Sequence, residues 1–145
     1  MTPAPRVVID TTVWLSGMHQ CNGPNGAILA LAKNRKIVPI TSAWIMEEVS
    51  RNLQKFQLSS WDHIAAIHDV KPETIELSEA EISQWEKIPR KDRHVVAVAV
   101  KGRAKVIVTS DARHLVNNPH VLAVVEHVFP PEKFLEWLRN SFINQ

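Results

Sequence analysis

Short β-branched runs alternate with helical stretches along this chain, and that alternation restricts its fold more than any other feature. Arg6–Asp10 reads RVVID, an apolar run that ends on an acid. It is too short for a helix and fits a strand buried on both faces of a sheet. Similar runs return at Ile37–Ile40, Val106–Thr109 and Val121–Val128, and more weakly at Thr74–Leu77. Between them lie helical signals. The Gly/Asn-containing stretch Gly17–Gly26 precedes a helix over Ala27–Lys33, where Lys33, Arg35 and Lys36 suit a C-terminus. Ser42 is an N-cap candidate, and Ile45, Val49, Leu53 and Phe56 after it share one helical face. Ser59 or Ser60 caps a helix through Ile64, Ile67 and His68. Ser78 and Glu81 form an S-x-x-E capping box for a helix expected to reach about Lys87. Asp92–Lys101 reads as a helix buried on several sides through VVAVAV and stopped by Gly102, although valines alone also suit a strand. Pro131 opens a last helix carrying Phe134, Leu135 and Leu138.

Strands and helices in this order predict an α/β fold, a parallel sheet covered by helices, as a single domain over residues 1–145. A chain of 145 residues, 45% of them hydrophobic, can bury a core without staples. With Cys21 as the one cysteine no intrachain disulfide forms, which fits a reducing compartment such as the cytoplasm. The longest apolar stretch, Val95–Val100, falls far short of the ~20 residues a bilayer requires. The N-terminus has no long apolar segment of the secretory kind. A net charge of +2 permits a nucleic-acid partner without demanding one.

Parallel α/β folds bind ligands beyond the carboxyl ends of their strands. Three of the five aspartates fall at such places: Asp10 closes the first strand, Asp111 follows Val106–Thr109, and Asp92 opens the valine-rich helix. Burying carboxylates is costly unless something pairs with them. Acids gathered without an adjacent counter-charge suit a divalent cation such as magnesium. Asp92 and Asp111 each have a structural alternative, as a first-turn acid or a helix cap. Asp10 has neither, since no turn or cap chemistry requires an acid directly after VVI. On the Ser42 helix the apolar face centres near Val49. At 100° per residue Glu48 lies about 100° from that centre and Glu47 about 160°. Glu48 therefore borders the buried side and Glu47 points to water.

His94, two residues after Asp92, does not share its helical face, so it is a poor co-ligand and is expected to be structural or a helix-start contact. No HxxH or HExxH spacing supports zinc, and no GxSxG, GxxxxGKS or GxGxxG motif is present. Arg90, Lys91 and Arg93 flank Asp92, and Arg113 follows Asp111, a distribution that suits an incoming polyanion. Lys101, Arg103 and Lys105 gather at the far end of the same helix. Trp14, Trp44 and Trp85 are each expected in the core, with base stacking as the alternative.

The segments VVIDTTVWLSG (Val7–Gly17), SAWIMEEVSRNL (Ser42–Leu53), KDRHVVAVAVKGRAKVIVTSD (Lys91–Asp111) and VFPPEKFL (Val128–Leu135) resemble a PIN domain, in particular its VapC-like toxin branch. The resemblance implies a Rossmann-like α/β/α sandwich and a Mg²⁺- or Mn²⁺-dependent endoribonuclease. Such proteins are often homodimers and often paired with an antitoxin. It places Asp10, Glu48, Asp92 and Asp111 as the catalytic, metal-holding set, with Thr11 and Thr109 supporting. Thr12 stands where many relatives have Asn. Two rivals belong to other classes. One is a catalytically silent PIN-like module that binds nucleic acid or a protein. The other is a flavodoxin-like phospho-acceptor domain, which would want paired acids at the first strand's end, whereas VVID offers one.

Overall fold

A computed structural model describes residues 3–143. β1 (Arg6–Ile9), β2 (Val38–Thr41), β3 (Glu73–Thr74), β4 (Val106–Val108) and β5 (His127–Phe129) form one sheet in the order β3-β2-β1-β4-β5. Every neighbouring pair is parallel. The strands are joined and covered by α1 (Thr11–His19), α2 (Pro24–Lys33), α3 (Ala43–Asn52), α4 (Ser60–Val70), α5 (Glu79–Ser83), α6 (Arg93–Lys101), α7 (Pro119–Leu122) and α8 (Pro131–Ile143). The result is the parallel sheet covered by helices that the alternation predicts, in the α/β sandwich that the resemblance implies.

The strand order decides where a site can lie. From β1 the chain steps outward to β2 and β3, then returns to the other side of β1 for β4 and β5. The reversal opens a crevice between the carboxyl ends of β1 and β4. Burial fixes both ends: Val7, Val8, Ile9, Val106, Ile107 and Val108 are fully buried. Each such side chain contributes about 1.5–3 kcal/mol by leaving water. α6 packs on β1 and β2 and against α3 and α5. The valine-rich run is helical, and its residues His94 to Ala99 are all buried. Ser42 caps α3 by accepting from the Ile45 N–H at 3.2 Å. Gly26 lets α2 follow α1 closely, because a Cβ there would lie 2.2 Å from the Cys21 carbonyl oxygen.

The structure departs from the sequence expectations at several elements. Thr11–His19 forms a helix where none is expected, and Asp10 is its N-cap, its side chain accepting from the Thr11 N–H. Cap chemistry does therefore use an acid after VVI. α2 starts at Pro24, earlier than Ala27, because proline at the first position is already preset for a helix. α5 stops at Ser83, short of Lys87. β3 is two residues long rather than Thr74–Leu77. Val121 lies on α7, which Pro119 opens behind the Asn118 cap, so β5 comprises His127–Phe129 alone. Apolar residues at Val121 and Val125 are buried without being strand; an apolar run by itself does not distinguish the two states.

Candidate active site

Asp10 leaves β1 at the crevice. Its own N–H still donates to the Val108 carbonyl at 3.0 Å, so the strand pairing reaches the acid. One carboxylate oxygen accepts from the Thr11 N–H at 2.8 Å and the other from the Thr109 hydroxyl at 2.7 Å. With its proton committed to Asp10, the Thr109 oxygen accepts from the Asp111 N–H at 3.0 Å. One buried hydroxyl thus ties the end of β1 to the loop that carries Asp111. Burial pushes the Asp10 carboxyl above the ordinary range, and the nearby Glu48 adds to it. The bonds from Thr109 and Thr11, with a smaller contribution from His94, pull the other way.

Asp92 sits where a 3₁₀ turn (Arg90–Asp92) becomes α6. It is only 7% exposed and makes no capping hydrogen bond, which removes the cap explanation for it. Its carboxyl is raised to about 6, first by burial and then by repulsion from Asp111 and Asp10; His114 and Lys91 oppose the shift. His114 was not singled out from the sequence. Its Nδ1 lies 3.2 Å from a carboxylate oxygen of Asp92 and 3.2 Å from one of Asp111. A single ring nitrogen carries at most one hydrogen and cannot satisfy both. Asp92 Oδ2 consequently has no hydrogen-bond partner among the described residues, and neither has Thr11 Oγ1. Asp111 Oδ1 accepts from the His114 N–H at 2.9 Å. This D-x-x-H spacing, three residues apart on one turn, is the signal by which His114 was legible.

Glu48 faces the same pocket from α3, while Glu47 is exposed. His94 is buried, as a structural histidine would be, and it also lines the pocket. Its Nε2 contacts Glu48 Oε1, across two helices rather than along one. The pocket, about 440 Å³, joins Asp10, Glu48, Asp92 and Asp111 with Lys55 and Lys91. Lys55, seven residues after Glu48, lines the pocket although no motif in the sequence points to it. Of the other cations, Arg90 lies in an adjoining cleft with Lys91. Arg93 turns back to the carbonyls of Ile88 at 2.9 Å and Glu86 at 3.1 Å, and Arg113 is exposed. Trp14 is buried in the core, Trp85 packs against it half-buried, and Trp44 is 40% exposed.

Four carboxylates against two lysines and the one histidine of the lining, His94, leave the pocket acidic. Asp92, Asp111 and His114 present ligand atoms within 4.8 Å of one another. Hard oxygen donors, one of them buried and unpartnered, fit a divalent cation. Neutral donors order Asp10, and around Asp92 the opposing pull of His114 and Lys91 offsets only part of the effect of burial and of the other acids, so the two sides suit a ligand that brings positive charge in. No curated protein matches the chain. A family model described as the PIN domain, a fold of the nuclease type, matches residues 6–113 and covers Asp10, Glu48, Asp92 and Asp111. Sheet order, acid placement and this match agree, and the chain belongs to the PIN domain family.

Proposed function

We propose that the chain is a Mg²⁺- or Mn²⁺-dependent endoribonuclease that hydrolyses RNA phosphodiester bonds. The observation that carries this reading is the convergence of Asp10, Glu48, Asp92 and Asp111 on one pocket, with Asp92 buried and short of a partner. Asp10, Asp92 and Asp111 would hold the metal, with His114 at the edge of the set. Bound there, the ion supplies Lewis acidity toward the phosphate and acidifies a water. The residues do the rest. Thr109 and the Thr11 N–H hold Asp10 in one orientation. His94 holds Glu48, whose carboxylate orients the attacking water and accepts its proton. Lys55 and Lys91 draw the phosphate into an otherwise repulsive pocket. Arg90, Lys91 and Arg113 are the backbone-binding cations of this reading, and Arg93, whose guanidinium already donates to the Ile88 and Glu86 carbonyls, would have to release them to join.

The resemblance to VapC-like chains extends the proposal to a toxin role in the cytoplasm, with a protein antitoxin and a homodimer. A small open reading frame directly upstream, whose product copurifies with this chain and suppresses its cleavage, is the expected finding. The nuclease itself is tested more simply. Purified protein should cut single-stranded RNA with Mg²⁺ or Mn²⁺, stop with EDTA and recover when metal is returned. Cleavage that continues in EDTA, with contaminating ribonuclease excluded, overturns the metal-dependent reading.

A further inference from the structure

Next to the acidic pocket lies a second cleft of about 300 Å³, at the small end of ligand-sized sites. The two share Glu48, Lys91 and His94, so a chain leaving one enters the other directly. Trp44 forms its aromatic wall. This ring is stacked on His94, with centroids 6.2 Å apart and planes at 26°, yet the residue stays 40% exposed. Its position on the first turn of α3, four residues before Glu48, ties its placement to that of the acid. The cations of the cleft are Arg51, Arg90 and Lys91, and none of them forms a salt bridge among the described residues. Free guanidinium groups around an exposed aromatic face, opening from an acidic pocket, match one flanking nucleotide: the ring stacks the base and the cations meet its phosphates.

We propose that Trp44, with Arg51 and Arg90, forms a nucleobase subsite that binds the nucleotide next to the cleaved bond of single-stranded RNA. The inference rests on the ribonuclease reading and names where that substrate's neighbouring base goes. A stacking face accepts any unpaired base, whereas bases inside a duplex are already stacked and do not reach it. The subsite therefore makes the enzyme selective for single strands and contributes to substrate binding more than to the chemical step.

Two measurements test this. In the first, a labelled single-stranded RNA decamer is titrated with an Asp10→Asn protein in Mg²⁺, with and without Trp44→Ala. Affinity should fall about ten-fold, the usual scale of one stacked base, while Trp44→Phe keeps most of it. The duplex of the same sequence should bind alike with or without Trp44. In cleavage by the otherwise unaltered protein, Trp44→Ala should raise KM and leave kcat within a few-fold. Arg90→Ala should weaken binding and lower the salt slope by about one unit. The second measurement leaves the protein intact: decamers carrying one abasic nucleotide at successive positions should show a single position, beside the cleaved bond, where affinity drops by the same factor. Equal binding by Trp44→Ala, equal losses for Phe and Ala, or no sensitive abasic position overturns the subsite while cleavage of RNA still stands. A protein that cuts no RNA in either metal overturns the ribonuclease reading and the subsite with it.

Discussion

Arg6 opens the four-residue strand β1 and Asp10 directly follows its last residue, and each brings a charge to the edge of an apolar sheet. At the amino end the chain supplies full compensation. Arg6 donates from Nε and Nη2 to the Gly102 carbonyl at 2.9 and 2.7 Å, and its Nη2 also pairs with Glu73 on β3 at 2.7 Å. At the carboxyl end the chain gives Asp10 only neutral donors, a hydroxyl and one N–H, and then adds Glu48 and Asp92 nearby. A charge that serves the scaffold receives its counter-charge from the scaffold. A charge that serves a ligand is aimed by hydrogen bonds and left short of positive charge. The strand itself is indifferent to the distinction, because both ends are set by the same buried β1–β4 pairing.

Exchanging the two charges for neutral groups is the most direct way to break this contrast. Asp10→Asn should preserve the fold and lower RNA cleavage by about 10²-fold or more, the scale for losing one key electrostatic group. Arg6→Met should do the reverse, leaving cleavage within a few-fold while costing about 1–2 kcal/mol of stability. Steady-state cleavage and thermal melting of the two variants decide it. An inactive Arg6→Met with unchanged melting, or a fully active Asp10→Asn, reverses the assignment of the two ends.

A smaller effect separates two adjacent glutamates on α3. Glu48 enters the pocket and meets His94, whereas Glu47 is exposed on the rim of the outer cleft. Under the proposed mechanism Glu48→Gln should reduce cleavage about ten-fold or more, since the proposed general base loses its charge. Glu47→Gln should stay within a few-fold, tending toward slightly tighter RNA binding because one like charge leaves the approach of the phosphates. Rate and RNA affinity for the pair measure this. The opposite ranking would mean that Glu47, not Glu48, handles the water.

What the sequence made legible follows the range of the interaction involved. An acid directly after RVVI is a local anomaly, and alternating runs predict a parallel sheet, so the acids could be placed at strand ends without coordinates. Helical phase separates Glu48 from Glu47 for the same reason, as both lie on one element. The contact of His94 with Glu48 was hidden because it joins α6 to α3, and spacing along α6 carries no information about a neighbouring helix. Asp10 as the cap of α1 was hidden because that helix was not anticipated from its mixed sequence. Trp44 looks like a core residue by type; only the packing of the first turn of α3 against His94 reveals an exposed ring.

The smallest expected effect tests whether Asp92 belongs to the uncompensated end. Asp111, Asp10, His114 and Lys91 all face it, and the net result holds its carboxyl at about 6 instead of 3.8. In the metal-free protein the folded state therefore binds more protons than the unfolded one between about pH 4 and pH 6. Stability should fall as pH rises through that window, and the penalty should remain in full above it. Asp92→Asn removes the charge, so the metal-free variant should melt a few degrees higher than the unaltered protein at pH 7.5 and no higher near pH 4. Mg²⁺ works on the same group from the other side. At ~10 mM ion and a dissociation constant of ~1 mM, binding to the folded state alone adds about 1.4 kcal/mol. For a chain of this size that is roughly 3–6 °C. The Asn variant should gain less, having lost a ligand. If Asp92 were only a helix-start acid, its replacement would cost some tenths of a kcal/mol through the helix dipole and leave the response to metal intact. Melting curves of both proteins at the two pH values, with and without Mg²⁺, distinguish these outcomes; a destabilised Asp92→Asn with an undiminished metal shift would return Asp92 to the scaffold, beside Arg6.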